Sequence, residues 1–462
     1  MDGMEHMTGT SIFAETALLP DGWAKAVRVT IGDDGRIASI APGVEPQAGD
    51  TRAAVLLPAP ANIHSHAFQR AMAGLTEGRG PDPRDSFWTW RKLMYQFMEQ
   101  LGPDEVEAIA AFVQMEMLEA GYAASVEFHY LHHAPGGQPY AKLGELSDRI
   151  VAAAESSGIG LTLAPVLYQY GGCDQRPLNE RQARFGNDVD RFAKLWVEAK
   201  DSLAALPADA RMAVAPHSLR AVGPDSLAAC AALSPQDPMH IHIAEQVGEV
   251  DEVVAAWGQR PIEWLYDHAD VDNRWTLIHA TQMESHETEM VASSGAVAGL
   301  CPITEANLGD GIFDGVRYLG AGGTFAIGSD SNIRIALAEE LRALEYSQRL
   351  RDKGRAMLAE QGRSAGRLML EEAARGGAIS AGRDSGSIAQ GKWADLIALD
   401  GAATNLIGRD GDHIIDSWVF AGDDRMVSDV WSAGRHMVRE RQHIAREAIT
   451  SRYRDVMRKL VA

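Results

Sequence analysis

Ile63-His64-Ser65-His66 places two histidines one residue apart, and in an extended chain residues i and i+2 share a face. Both imidazoles can then reach one metal ion. Further on, Met239-His240-Ile241-His242-Ile243-Ala244-Glu245 alternates apolar residues with histidines and closes on a carboxylate. His242 is the candidate ligand near its end, and His240, on the same face but deeper, reads as a core histidine. The run 275–279 ends on His279 and the run 325–330 on Asp330. Each signal alone is weak. An HxH arises by chance in a chain with 15 histidines, and a single histidine or aspartate at a strand end often serves as a cap. Together, four segment ends bring four histidines and an aspartate, with Glu245 beside the third. Imidazole nitrogens and a carboxylate oxygen suit one divalent cation, Zn²⁺ more selectively than Fe²⁺ or Mn²⁺. A catalytic metal lowers the pKa of its water from ~15.7 to about 7, and an unligated glutamate can carry the proton to a leaving group. The chemistry expected is hydrolytic attack on an electrophilic carbon.

Such side chains converge only if the chain brings distant segments to one place. Short apolar or β-branched runs recur at 54–63, 124–128, 159–167, 212–216, 239–244, 275–280, 296–301 and 324–328. Between them lie stretches with helical periodicity, clearest at 103–120, 148–155, 188–206, 247–267 and 285–292. Eight strands alternating with helices predict an α/β fold, a (β/α)8 TIM-like barrel, whose active sites lie at the carboxyl ends of the strands. Helical stretches at 335–355 and 362–374 follow. Strand-and-turn chemistry at both chain ends predicts one small β-sandwich domain. The expected division is 1–57 for the first part of that domain, 58–375 for the barrel, 376–440 for its second part, and 441–462 for a C-terminal helix.

The 462 residues carry 43 Lys and Arg against 64 Asp and Glu, a formal charge of −21. That balance argues against nucleic acid and anionic membranes as partners, because both need clustered cations. An anionic small molecule would need a few local arginines instead. The three cysteines, Cys173, Cys230 and Cys301, form no CxxC pair and point to a reducing cytoplasm. The opening MDGMEHMTGT lacks the apolar core of a signal peptide.

At these residues the sequence resembles the amidohydrolase superfamily: an HxH after strand one, histidines after strands five and six, and an aspartate after strand eight. The tail from Gly386 to Leu399 resembles the superfamily's C-terminal signature. No lysine stands at the end of strand four, where His217 is found instead. The pair His242 and Glu245 is similar to the mononuclear deaminases. Within that branch the stretches 64–70, 86–95, 127–130, 216–220, 301–309 and 328–334 look like the formimidoylglutamate deiminases. The resemblance implies deimination of N-formimino-L-glutamate to N-formyl-L-glutamate and ammonia, in histidine degradation. It implies one Zn²⁺ on His64, His66, His242 and Asp330, with Glu245, His279 and Asp330 catalytic and His279 outside the ligand set. It also implies a homodimer.

A dianionic substrate calls for arginines. Arg91 and Arg220 follow strands one and four, and Gln69, Tyr130 and His217 can add hydrogen bonds. Arg70, Arg79, Arg84 and Arg334 compete for the same role. Asn307 and Glu305 read as residues that shape a loop. A deaminase of a heterocyclic base such as guanine or cytosine is the alternative, and a scaffold without catalysis is a third reading.

Overall fold

A computed structural model describes residues 10–78, 94–95 and 97–460. Four strands open it: β1 (Thr10–Leu19), β2 (Gly22–Ile31), β3 (Ile37–Ala41) and β4 (Thr51–Pro58). The barrel strands follow as β5 (Ala61–Ser65), β6 (Ala124–His129), β7 (Gly160–Leu167), β8 (Arg211–Met212), β9 (Ala215–Pro216), β10 (Met239–Ile243), β11 (Trp275–His279), β12 (Val297–Leu300) and β13 (Thr324–Ile327). The last four are β14 (Leu396–Leu399), β15 (Val427–Ser432), β16 (Arg435–Arg439) and β17 (Gln442–His443).

Strands β5 to β13 run parallel. β7 pairs with both β8 and β9, which are two halves of the fourth barrel strand. A bridge between Val214 and Met239 carries the ladder to β10, and one between Ser65 and Asp330 closes the ring. The barrel is therefore (β/α)8. Every residue of β5, β6, β7, β10, β11 and β12 is buried. Helices on one side and barrel interior on the other cover both faces, so these strands read as continuous apolar runs.

The run expected at 54–63 is two strands in two different sheets. Pro58 and Pro60 lack amide hydrogens, so the ladder stops between them. The stretch 247–267 is likewise two helices, Val247–Trp257 and Pro261–His268. Gly258, at φ 78°, caps the first, and Pro261 opens the second. Helix Pro224–Leu233 escaped the periodicity because its run of alanines sets up little contrast between faces.

Both chain ends build one eight-stranded sheet in the order β17-β16-β15-β14-β4-β1-β2-β3. Strand β14 lies antiparallel to β4, with Leu396 opposite Pro58. The sheet curls until Gly35 meets the β15–β16 turn, where a Cβ would stand 2.3 Å from Ala433 O. Ile12, Val29, Leu56 and Trp431 fill the inside of the curl, while Val55, Leu57, Ile397 and Val430 pack on the barrel. Helix Arg446–Leu460 crosses helix Pro103–Glu119, with Tyr453 stacked on Phe112 at 3.9 Å.

Candidate active site

Five of the barrel residues at or just past strand ends have left-handed backbone: Ala244 (φ 50°), His279 (71°), Ala280 (49°), Asp330 (45°) and Asn332 (55°). Such conformations cost about 1–3 kcal/mol each and persist where surroundings impose them. At the end of β13, around Asp330 and Asn332, a chain of side-chain hydrogen bonds holds the backbone. Asn62 Nδ2 donates to Ser329 Oγ at 2.6 Å, Ser329 Oγ donates to Asn332 Oδ1 at 2.6 Å, and Asn332 Nδ2 donates to Ser65 Oγ at 3.2 Å. The ends of β5 and β13 are thereby locked together. Gly328 must lack a side chain, because a Cβ there would stand 2.8 Å from His64 Cβ.

At that end His64, His66, His242 and Asp330 each offer a ligand atom, all within 4.8 Å of one another. His64 Nε2 lies 3.2 Å from His66 Nε2 and 3.0 Å from His242 Nε2. Asp330 Oδ1 lies 3.4 Å from His64 Nε2 and 3.3 Å from His66 Nε2. His66 Nδ1 is 3.0 Å from Phe128 O, and His242 Nδ1 is 3.0 Å from His217 O. A carbonyl only accepts, so in both rings Nδ1 carries the proton and Nε2 turns a lone pair inward. Burial is the main reason that His64 is pushed down to about 3 and His242 held well below the imidazole range. Neutral imidazoles whose lone pairs converge beside a carboxylate fit a divalent cation.

His279 is a different kind of histidine. Burial opposes its charge, but Glu245, Glu305 and Asp330 outweigh that and push its pKa up to about 10. It lies outside the converging quartet, with Nε2 3.9 Å from Glu245 Oε1 and Nδ1 3.3 Å from Glu305 Oε1. Glu245 stands on the turn after β10, and its Oε2 is 3.5 Å from Arg220 Nη2. The buried Glu249 fixes that turn by accepting from Ala244 N at 3.2 Å and Glu245 N at 3.0 Å.

A cavity opens over these groups, lined in part by His66, Gln69, Tyr130, His217, Arg220, Glu245, His279 and Asp330. Gln69 Nε2 donates to Tyr130 Oη at 2.8 Å, while Gln69 Oε1 is buried with no hydrogen-bond partner among the described residues. The His217 ring stands 4.9 Å from that of His242. Arg91 lies outside the described residues, as do Arg79 and Arg84. Arg70 is turned to Glu116 and Arg334 to Glu339, and neither lines the cavity. His240 stays in the core, its Nε2 2.8 Å from Ser380 O. Asn307 Nδ2 donates outward to Glu77.

Reading the sequence alone missed Glu249, Tyr168 and Phe185, and took Glu305 for a residue that shapes a loop. Glu305 is buried against His279, and the two aromatics line the cavity wall. One signal was available for Glu305. A proline just past a strand end opens a new helix, and an acid in its first turn can reach back to the strand.

Comparison with known proteins agrees with this geometry. Residues 55–437 match the model of the Amidohydrolase family, and residues 9–54 match that of the formimidoylglutamate deiminase HutF N-terminal domain. The chain is 47% identical to a formimidoylglutamate deiminase of Pseudomonas aeruginosa, over 98% of this chain and 100% of that one. A crystal structure of an amidohydrolase from Brucella melitensis superposes with TM-score 0.94 at 47% identity, covering 98% of this chain and 100% of that one. An adenosine deaminase from Xanthomonas campestris with bound zinc shares the fold at TM-score 0.82 and 22% identity, over 98% of both chains.

Proposed function

The chain belongs to the amidohydrolase family, and from that membership and the site geometry we propose that it hydrolyses N-formimino-L-glutamate to N-formyl-L-glutamate and ammonia, a step of histidine degradation. The observation that carries the proposal is one cavity in which Arg220 stands beside both Glu245 and the His-His-His-Asp cluster. A hydrolytic centre and a carboxylate-binding cation are thus within one small substrate's length.

His64, His66, His242 and Asp330 would hold one divalent ion, and their donor set favours Zn²⁺. When bound, the ion supplies hydroxide at neutral pH by lowering the pKa of a water. Arg220 binds a glutamate carboxylate, and Arg91 is proposed for the other. Gln69 Oε1 accepts from a donor on the substrate, with Tyr130 and His217 completing the wall. Glu245 takes up the proton released on attack and delivers it to the departing nitrogen, with Asp330 assisting. His279 Nε2 donates to the attacking oxygen. Fixing the substrate between Arg220 and these groups makes attack effectively intramolecular. The three buried, unpaired cysteines support a cytoplasmic setting.

Ammonia release from N-formimino-L-glutamate, with the N-formyl product identified by NMR, tests the reading. Release from guanine or cytosine instead would overturn it.

Arg220→Met is expected to lower kcat/KM by roughly 30- to 1000-fold. Truncating one partner of a buried charge pair costs about 2–4 kcal/mol, and the change also strips the cation from beside Glu245. Steady-state kinetics decide this, and unchanged kcat and KM would remove Arg220 from the substrate site.

A further inference from the structure

Strand β12 ends at Leu300, and after Cys301 the chain enters helix Pro302–Leu308. Glu305 sits in the first turn of that helix and folds back under the site. Its Oε1 accepts the Cys301 amide hydrogen at 2.8 Å and lies 3.3 Å from His279 Nδ1. Both partners are buried, His279 at 1% and Glu305 at 5% exposure. We propose that Glu305 is a positioning residue for the reaction, accepting the Nδ1 hydrogen of His279 and so holding His279 Nε2 toward Glu245 and the cavity.

The backbone explains why a tether is needed. His279 and Ala280 both adopt left-handed φ, so the chain leaves the strand at the residue that bears the ring. Regular strand geometry therefore does not fix the ring's direction. A half-turn of the ring would exchange each nitrogen with a carbon and take the donor off the attacking oxygen. A carboxylate forbids that exchange in two ways. It accepts but does not donate, and it is itself pinned by the Cys301 amide.

The kinetic consequence rests on the function proposed above; the geometric one does not. Glu305→Gln keeps an oxygen for the Cys301 amide but can also turn an NH₂ toward His279. It is expected to fold with an unchanged melting temperature and to bind one equivalent of metal. KM should stay within about twofold, while kcat falls by roughly 10- to 100-fold, as for other groups that orient a site histidine. Glu305→Asp, with a shorter but charged arm, should recover part of the loss. With ¹⁵N-labelled imidazoles, the His279 Nδ1–H resonance, assigned by its absence in His279→Asn, should move in Glu305→Gln while those of His66 and His242 stay.

Wild-type kcat in Glu305→Gln would overturn the proposal, and so would an unmoved Nδ1–H resonance. A second equivalent of zinc bound by the wild type but not by Cys301→Ser would also overturn it, because Cys301 Sγ belongs to the same cluster and that result would make it a metal site. The NMR measurement uses no substrate. It therefore separates failure of this inference from failure of the proposed reaction.

Discussion

Glu245→Gln is expected to retain one equivalent of metal and lose roughly 10²- to 10⁴-fold in kcat, the usual worth of a positioned acid or base. The substitution is nearly isosteric. Glu249 holds the turn through the Ala244 and Glu245 amides, neither of which the change touches, so the backbone stays in place. The new side chain still offers an oxygen to Arg220. What it loses is the capacity to take a proton and return it. None of the four converging ligand atoms belongs to residue 245, so metal content measured on the same sample should match the wild type. Near-normal turnover would remove Glu245 from the mechanism, and loss of metal would recast it as a ligand.

His242→Ala should abolish turnover and leave the protein with well under one equivalent of metal. Its imidazole stands 3.0 Å from His64 Nε2, stacks on His279 and lies tilted against His217, so its removal opens the middle of the cluster. The same ion should appear in the folding equilibrium. Three imidazoles and a carboxylate brought this close form a site that the unfolded chain lacks. At a free metal concentration ~1,000 times Kd, binding adds about 4 kcal/mol of stability. Chelation of the wild type should accordingly lower its melting temperature and abolish activity, and Zn²⁺ should restore both. His242→Ala should show neither response. A variant that still holds a full equivalent of metal and turns over substrate would refute the assignment.

Much of this site was legible because barrel strands impose a simple geometry. Alternation along β5 and β10 puts His64 with His66, and His242 with Glu245 just past it, at one end of the barrel. What the sequence hid depends on three-dimensional contacts. Glu305 looked like a loop-shaping residue because nothing in its neighbourhood in sequence shows that His279 lies against it. Glu249 is one acid among several in the helical stretch 247–267, yet it is fully buried under the Glu245 turn. The fourth barrel strand is two short pieces, and the run through Pro58 and Pro60 crosses from one sheet to another. An apolar pattern records burial but not which sheet does the burying. The terminal strands do build one small β domain, as expected, and they do so as a single sheet that curls over its own core.

That sheet also bears on how the protein is made. Strand β4 leaves the ribosome early, and its partner β14 emerges only after the entire barrel. During synthesis β4 has an open hydrogen-bonding edge, the kind of surface that invites pairing with other chains. Contacts between distant parts of a chain form slowly, and large proteins pass through intermediates that expose such edges. Closing the sheet is therefore a late event in biosynthesis, and a polypeptide truncated before β14 would keep the aggregation-prone edge permanently.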